Sequence, residues 1–319
     1  DAINVVDANG QTLNLTAGGA ITGTITVDTL TAITTDGSIT LTDDAGGLVA
    51  TSVIAGGDAR DVTLLSQAGT LTVGYIEAAD DTVTLTATVG DVSEAALTDA
   101  GVDVFAETLV VTADNAAAAT VIALDTEIEA LTADADGHAD SDITIDEIDS
   151  ILLTSVTAGD DVTISAGDAP SVAGRITVMS VTAGGTATLD ARAEILDDVD
   201  AGTDVAASDV VLIAGTGIGS GRMGDAADLD VNAGTLTATV TAKGDINIEE
   251  ADSATVTATT ADGNVDIQAA SGSLAVAVID ADQFSDNAVS LFARDDILDH
   301  APDTITDIFS GANTNLTVV

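Results

Sequence analysis

The sequence predicts an all-β fold, a right-handed parallel β-helix (β-solenoid) of about 14 coils, closed by a short C-terminal capping or docking segment. Three observations predict it. A short turn-and-strand pattern recurs along the whole chain; the strands alternate aliphatic and Thr; and the apolar content is aliphatic. Hydrophobic residues make up 46% and mean hydropathy is +0.39, yet only 2% are aromatic. Small and β-branched side chains suit narrow stacked layers better than a wide globular interior.

The recurring pattern is a small, Gly or Asp turn, then Val or Ile, a polar residue, then Leu or Ile. Thr35-Asp36-Gly37-Ser38-Ile39-Thr40-Leu41 and Ala79-Asp80-Asp81-Thr82-Val83-Thr84-Leu85 carry it. So do Ala158-Gly159-Asp160-Asp161-Val162-Thr163-Ile164, Ala242-Lys243-Gly244-Asp245-Ile246-Asn247-Ile248 and Ala261-Asp262-Gly263-Asn264-Val265-Asp266-Ile267. Weaker copies centre near Ile21, Val62, Val104, Ile143, Ala187, Leu229, Val289 and Leu316. The spacing averages roughly 20 residues, in the solenoid range.

Each unit adds a second alternating stretch, such as Thr24-Ile25-Thr26-Val27, Thr70-Leu71-Thr72-Val73 or Thr235-Leu236-Thr237-Ala238-Thr239-Val240. Period-two alternation with Thr is a strand signature. Strands this short, parted only by Gly, Asp and Asn turns, leave no room for crossover helices. A sandwich does not require the pattern to return every coil. At a strand spacing of roughly 4.8 Å the coils would build a rod on the order of 65–70 Å long.

Residues 1–280 read as solenoid repeats and 281–319 as final coils with a cap or docking segment. Phe284, Phe292 and Phe309 concentrate in the latter. Ala301-Pro302-Asp303 can open a helix, and Ile305, Ile308 and Phe309 follow at helical spacing. Ala2 to Val6 and Asn315 to Val319 read as strand at the two termini, with no polar capping repeat. Unpaired strand edges template further pairing, and head-to-tail contacts that do not close give filaments. The expected assembly interface is therefore Ile3, Val5, Phe292, Phe309, Leu316 and Val318, with a second copy of the chain as partner.

Charge narrows the function. Six Lys+Arg against 54 Asp+Glu give a formal charge of −48. Nucleic acid and anionic lipid are excluded as partners, because both need basic residues. No Cys is present, so disulfides, Cys-ligated metals and a Cys nucleophile are excluded. The longest apolar runs, such as Val210 to Ala214, are too short for membrane insertion. The opening Asp1-Ala2-Ile3 lacks Met and a basic stretch, as expected of a processed or excised chain.

Asp134, Asp136, Asp140 and Asp142 form the best metal candidate, four hard carboxylates in a short run. The competing reading is a solvated acidic turn. Ca²⁺ is the one cofactor in view, and Ca²⁺ or salt should relieve self-repulsion along an acidic rod. Gly215-Thr216-Gly217-Ile218-Gly219-Ser220-Gly221 matches neither G-x-G-x-x-G nor a phosphate loop and reads as a turn. The six basic residues are scattered, and His138 and His300 are isolated. No catalytic site is expected.

Val210-Val211-Leu212-Ile213-Ala214-Gly215-Thr216-Gly217-Ile218-Gly219-Ser220, then Leu229-Asp230-Val231-Asn232-Ala233-Gly234, resembles a segment of filamentous-haemagglutinin-like repeats of large bacterial exoprotein adhesins. The Gly-Asp-Ile/Val-x-Ile units are similar to the same repeats. The resemblance implies a secreted or surface-displayed β-helix. The expected function is a self-assembling extracellular fibre, surface-layer or matrix protein. The alternatives are an adhesin segment that binds a host or matrix ligand, an ice-binding protein with aligned Thr columns, and a polysaccharide-active enzyme.

Overall fold

The computed structural model describes residues 1–58, 60–95, 101–167, 174–199, 202–220, 227–282, 286–301 and 306–319. They form 28 strands, with no helix among them. The chain divides into two compact units, Asp1–Ile164 and Ser165–Val319. Each is a parallel β-solenoid, and together they hold about 13 turns. No helix among the described residues is long and apolar enough to cross a membrane.

In the first unit equivalent residues of successive turns stack in register, in three columns. One column runs Ile3, Ile21, Ile39, Val62, Val83, Leu109, Leu131, Leu153. A second runs Leu48, Leu71, Val92, Ile122, Ile143. A third runs Val53, Ile76, Val104, Thr126. From Ile21 onward the first column is fully buried. Burying each such side chain is worth about 1.5–3 kcal/mol, so the small repeating units acquire a core only by stacking.

The second unit repeats the arrangement. Ile176, Ile195, Ile218, Ile246, Val265, Val289 and Thr314 form one column. Ala187, Val210, Leu236, Val256 and Val276 form another.

The polar residue just before each inward aliphatic explains the turn chemistry. Asp61 Oδ1 accepts the Thr82 N–H at 3.3 Å, and Asp91 Oδ1 accepts the Val121 N–H at 2.9 Å. Asp142 Oδ1 accepts from Asp161 N–H at 3.1 Å. In the second unit Asp245 Oδ1 accepts from Asn264 N–H at 2.7 Å, and Asn264 Oδ1 from Ala288 N–H at 3.0 Å. Each of these side chains satisfies a backbone donor of the following turn, where strand pairing has not yet begun. The Gly that precedes it has its own reason: a Cβ on Gly244 would overlap the Thr216 carbonyl oxygen of the preceding turn.

The C-terminal segment departs from the helical expectation. Pro302, Asp303 and Ile305 lie outside the described residues, as does Phe284. Ile308–Phe309 is a strand paired with Ile279–Asp280. Backbone pairing decides this: Ile279 N–H donates to the Asp307 carbonyl at 2.7 Å, and Ala281 N–H to the Phe309 carbonyl at 3.0 Å.

Candidate metal centre

Among the described residues, six of the seven buried carboxylates fall into two recurring backbone devices or adjoin them. The first fills a gap between strands of unequal length. Ile21–Thr34, Val121–Ala135 and Leu229–Lys243 are long strands, but the strands stacked on their first halves stop at Asp43, Glu147 and Glu250. Beyond that point a backbone donor on the long strand lacks a carbonyl. The buried acid supplies the oxygen. Asp43 Oδ1 accepts Val27 N–H at 3.3 Å, Glu147 Oε2 accepts Ile128 N–H at 3.1 Å, and Glu250 Oε1 accepts Ala233 N–H at 3.2 Å.

Glu147 uses both oxygens. Oε2 also accepts the Thr126 hydroxyl at 2.8 Å, and Oε1 accepts Asp149 N–H at 3.2 Å. All three acids are 0% exposed. Burial disfavours their charged forms: Glu147 is pushed up to about 8 and Glu250 to about 7, and Asp43 is raised.

The second device sits at another corner of the turn. Asp103 and Asp204 immediately precede the inward residues Val104 and Val205. Asp103 donates its N–H to the Asp125 carbonyl at 2.8 Å, while its Oδ2 accepts Asp125 N–H at 3.1 Å. Asp204 repeats this with Asp230, at 2.9 Å and 2.8 Å. Their own carbonyls accept Ile76 N–H and Val181 N–H, both at 2.7 Å.

These corners gather carboxylates. Glu94, Asp103 and Asp125 in the first unit each offer an oxygen within 4.8 Å of the others, and so do Asp197, Asp198 and Asp204 in the second. A third group, Asp142, Asp160 and Asp161, is more exposed. Each group offers only hard oxygen donors, the chemistry of a Ca²⁺ or Mg²⁺ ligand set.

The candidate drawn from sequence is divided between two places. Asp134 lies in the strand Val121–Ala135, and its Oδ1 accepts Asp136 N–H at 3.2 Å. Charge on Asp134 and Asp114 raises the Asp136 carboxyl. Asp142 instead joins Asp160 and Asp161, one turn later, and Asp140 adds to the charge that raises Asp160. Stacking, not sequence proximity, chooses the neighbours.

The devices recur roughly every hundred residues, a longer period than the coil. Sequence reasoning missed it, although Asp142-Ile143-Thr144-Ile145-Asp146-Glu147-Ile148-Asp149-Ser150 parallels Asp245-Ile246-Asn247-Ile248-Glu249-Glu250-Ala251-Asp252-Ser253.

Two further surfaces present polar groups. A cleft of about 700 Å³ in the second unit is lined by Lys243, Asp245, Asp262 and Asn264 among others. Its polar groups engage one another, as in the 3.1 Å Lys243–Asp262 ion pair, and Gly217–Ile218 there is strand. In the first unit, outward Thr residues align. Thr22, Thr40, Thr63 and Thr84 are successive partners in one column, and Thr24 pairs with Thr42 and Thr86 with Thr112 beside it.

Of the expected assembly residues, Ile3 and Val5 lie on the edge strand Ile3–Ala17 and are half-buried. Phe292 and Phe309 are half-buried too, on the strands Val289–Ala293 and Ile308–Phe309. Leu316 stacks on Leu291 and Val318 on Ala293, both in inward columns, yet they are 53% and 52% exposed.

No protein family, curated protein or solved structure matches the chain, so what is established is its architecture: a parallel β-solenoid with buried acidic corners.

Proposed function

We propose that the chain is a structural β-solenoid of an extracellular fibre, surface layer or matrix, extended head to tail by copies of itself. One observation supports this reading: turns stack in register throughout each unit, and the strand Thr314–Val318 continues the inward columns through Leu316 on Leu291 and Val318 on Ala293. A further parallel coil from a second copy can extend such columns by the same backbone pairing. The resemblance to bacterial exoprotein repeats supports secretion or surface display. With a formal charge of −48, copies repel one another, so millimolar Ca²⁺ or salt favours assembly by screening. Catalysis is not part of the proposal.

Sedimentation velocity with negative-stain imaging, with and without Ca²⁺, tests it. Concentration-dependent end-to-end oligomers are expected, and Leu316→Lys with Val318→Lys should abolish them. A chain that stays monomeric at high concentration in Ca²⁺ overturns the reading.

The aligned Thr columns favour a second reading, an ordered-water surface that binds ice. Thermal hysteresis that disappears in Thr40→Tyr and Thr84→Tyr would support it. No hysteresis leaves the Thr as strand formers with a hydrated face.

A further inference from the structure

We propose that Asp197, Asp198 and Asp204 of the second unit form a specific Ca²⁺ site. The site is independent of whether the chain assembles.

The backbone fixes this corner from both sides. Asp197 ends the strand Glu194–Asp197, and Asp204 immediately precedes the strand Val205–Ala214. Asp198 N–H donates to the Val178 carbonyl of the preceding turn at 3.2 Å. Asp204 is held by Val181 on one side and Asp230 on the other. The three carboxylates therefore converge on a built corner, with an oxygen of each within 4.8 Å of the others. Oxygens around one Ca²⁺ at about 2.4 Å stand at most about 5 Å apart, so the group fits a single ion.

The unsatisfied atoms point to a ligand. Asp204 is 0% exposed. Its Oδ2 accepts the Asp230 N–H, but its Oδ1 is buried with no hydrogen-bond partner, and so is Asp198 Oδ1. A buried acceptor without a donor is costly, more so for a charged group. The charges acting on Asp204 are Asp197, Asp230 and Asp198, all acidic. Burial and this repulsion both disfavour its charged form. A divalent cation removes both penalties. Carboxylates bind it singly or bidentately, and water fills the remaining positions, which suits the flexible geometry of Ca²⁺ better than the strict octahedron of Mg²⁺.

The test is calorimetric titration of Ca²⁺ into chelator-stripped protein at physiological salt, with circular dichroism to verify folding. Wild-type protein should bind Ca²⁺ saturably. Asp204→Asn keeps an acceptor for Asp230 N–H, and it should remove one equivalent of Ca²⁺ or weaken that equivalent at least ~tenfold, as loss of a charged ligand does. Asp198→Asn serves if Asp204→Asn does not fold, and the same loss is expected. Unchanged stoichiometry and affinity in the folded variant overturn the proposal. So does a wild-type response that Mg²⁺ and additional NaCl reproduce, which would show screening only. Failure to form fibres would leave this result untouched.

Discussion

The corners at Glu147 and Asp204 hold equally buried acids, and both carboxyls are pushed up to about 8. They differ in what their oxygens meet. Glu147 spends both oxygens on Thr126, Ile128 and Asp149, so it completes the backbone ladder of its own unit. Asp204 spends one and turns the other toward more carboxylates. Burial and a displaced pKa therefore do not separate a structural acid from a ligand, and neither does one unmatched oxygen, since Asp43 Oδ2 and Glu250 Oε2 also lack a partner; the convergence of several carboxylates at Asp204 does.

The largest effect should come from pH, which acts on both corners together. A carboxyl raised in the folded state binds more protons there than in the unfolded chain, so its contribution is fully present below the unfolded pKa and lost as pH rises through the folded one. For Glu147 and Asp204 the window runs from about 4 to about 8, and for Glu250 to about 7. Stability in chelator should fall across that window by on the order of 10 kcal/mol in total, measured by urea denaturation at stepped pH. A flat profile would place these acids in contact with water. Added Ca²⁺ should remove only the Asp204 share of the slope.

Glu147→Leu should cost about 3 kcal/mol, because Ile128 N–H, Asp149 N–H and the Thr126 hydroxyl lose their acceptor. The denaturation midpoint at pH 6 reads it. Asp204→Asn without Ca²⁺ should be neutral or stabilising by up to about 1 kcal/mol, since it relieves repulsion and retains the Asp230 contact. Opposite signs at equally buried positions would sharpen the distinction, and equal losses would break it. The smallest effect belongs to an exposed acid. Arg60→Ala removes the 2.6 Å ion pair with Asp36, whose side chain is 67% exposed, and should cost less than about 1 kcal/mol.

The solenoid was legible because its instructions are local. Thr82-Val83-Thr84-Leu85 alternates, its inward residues stack, and the Asp or Asn before each inward aliphatic has a donor to meet. The candidate metal residues were not legible in the same way. Among 54 acids, nothing in the immediate neighbourhood of Glu147 says that an amide some twenty residues earlier lacks a carbonyl. Asp134 to Asp142 looked like a ligand run because its members are adjacent in the chain, yet Asp142 gathers Asp160 and Asp161 from the next turn. Ile308 and Phe309 have helical spacing from Ile305, but the open edge beside Ile279 takes them as strand.

The acceptors at Asp61, Asp91, Asp142, Asp245 and Asn264 all point the same way, toward the turn made later. At these corners the earlier layer positions its successor, whereas Asp43, Glu147 and Glu250 reach back to complete the layer before them. Neighbouring layers are therefore laced together in both directions, so that removing one turn would strand amides on the layer before it and on the layer after it.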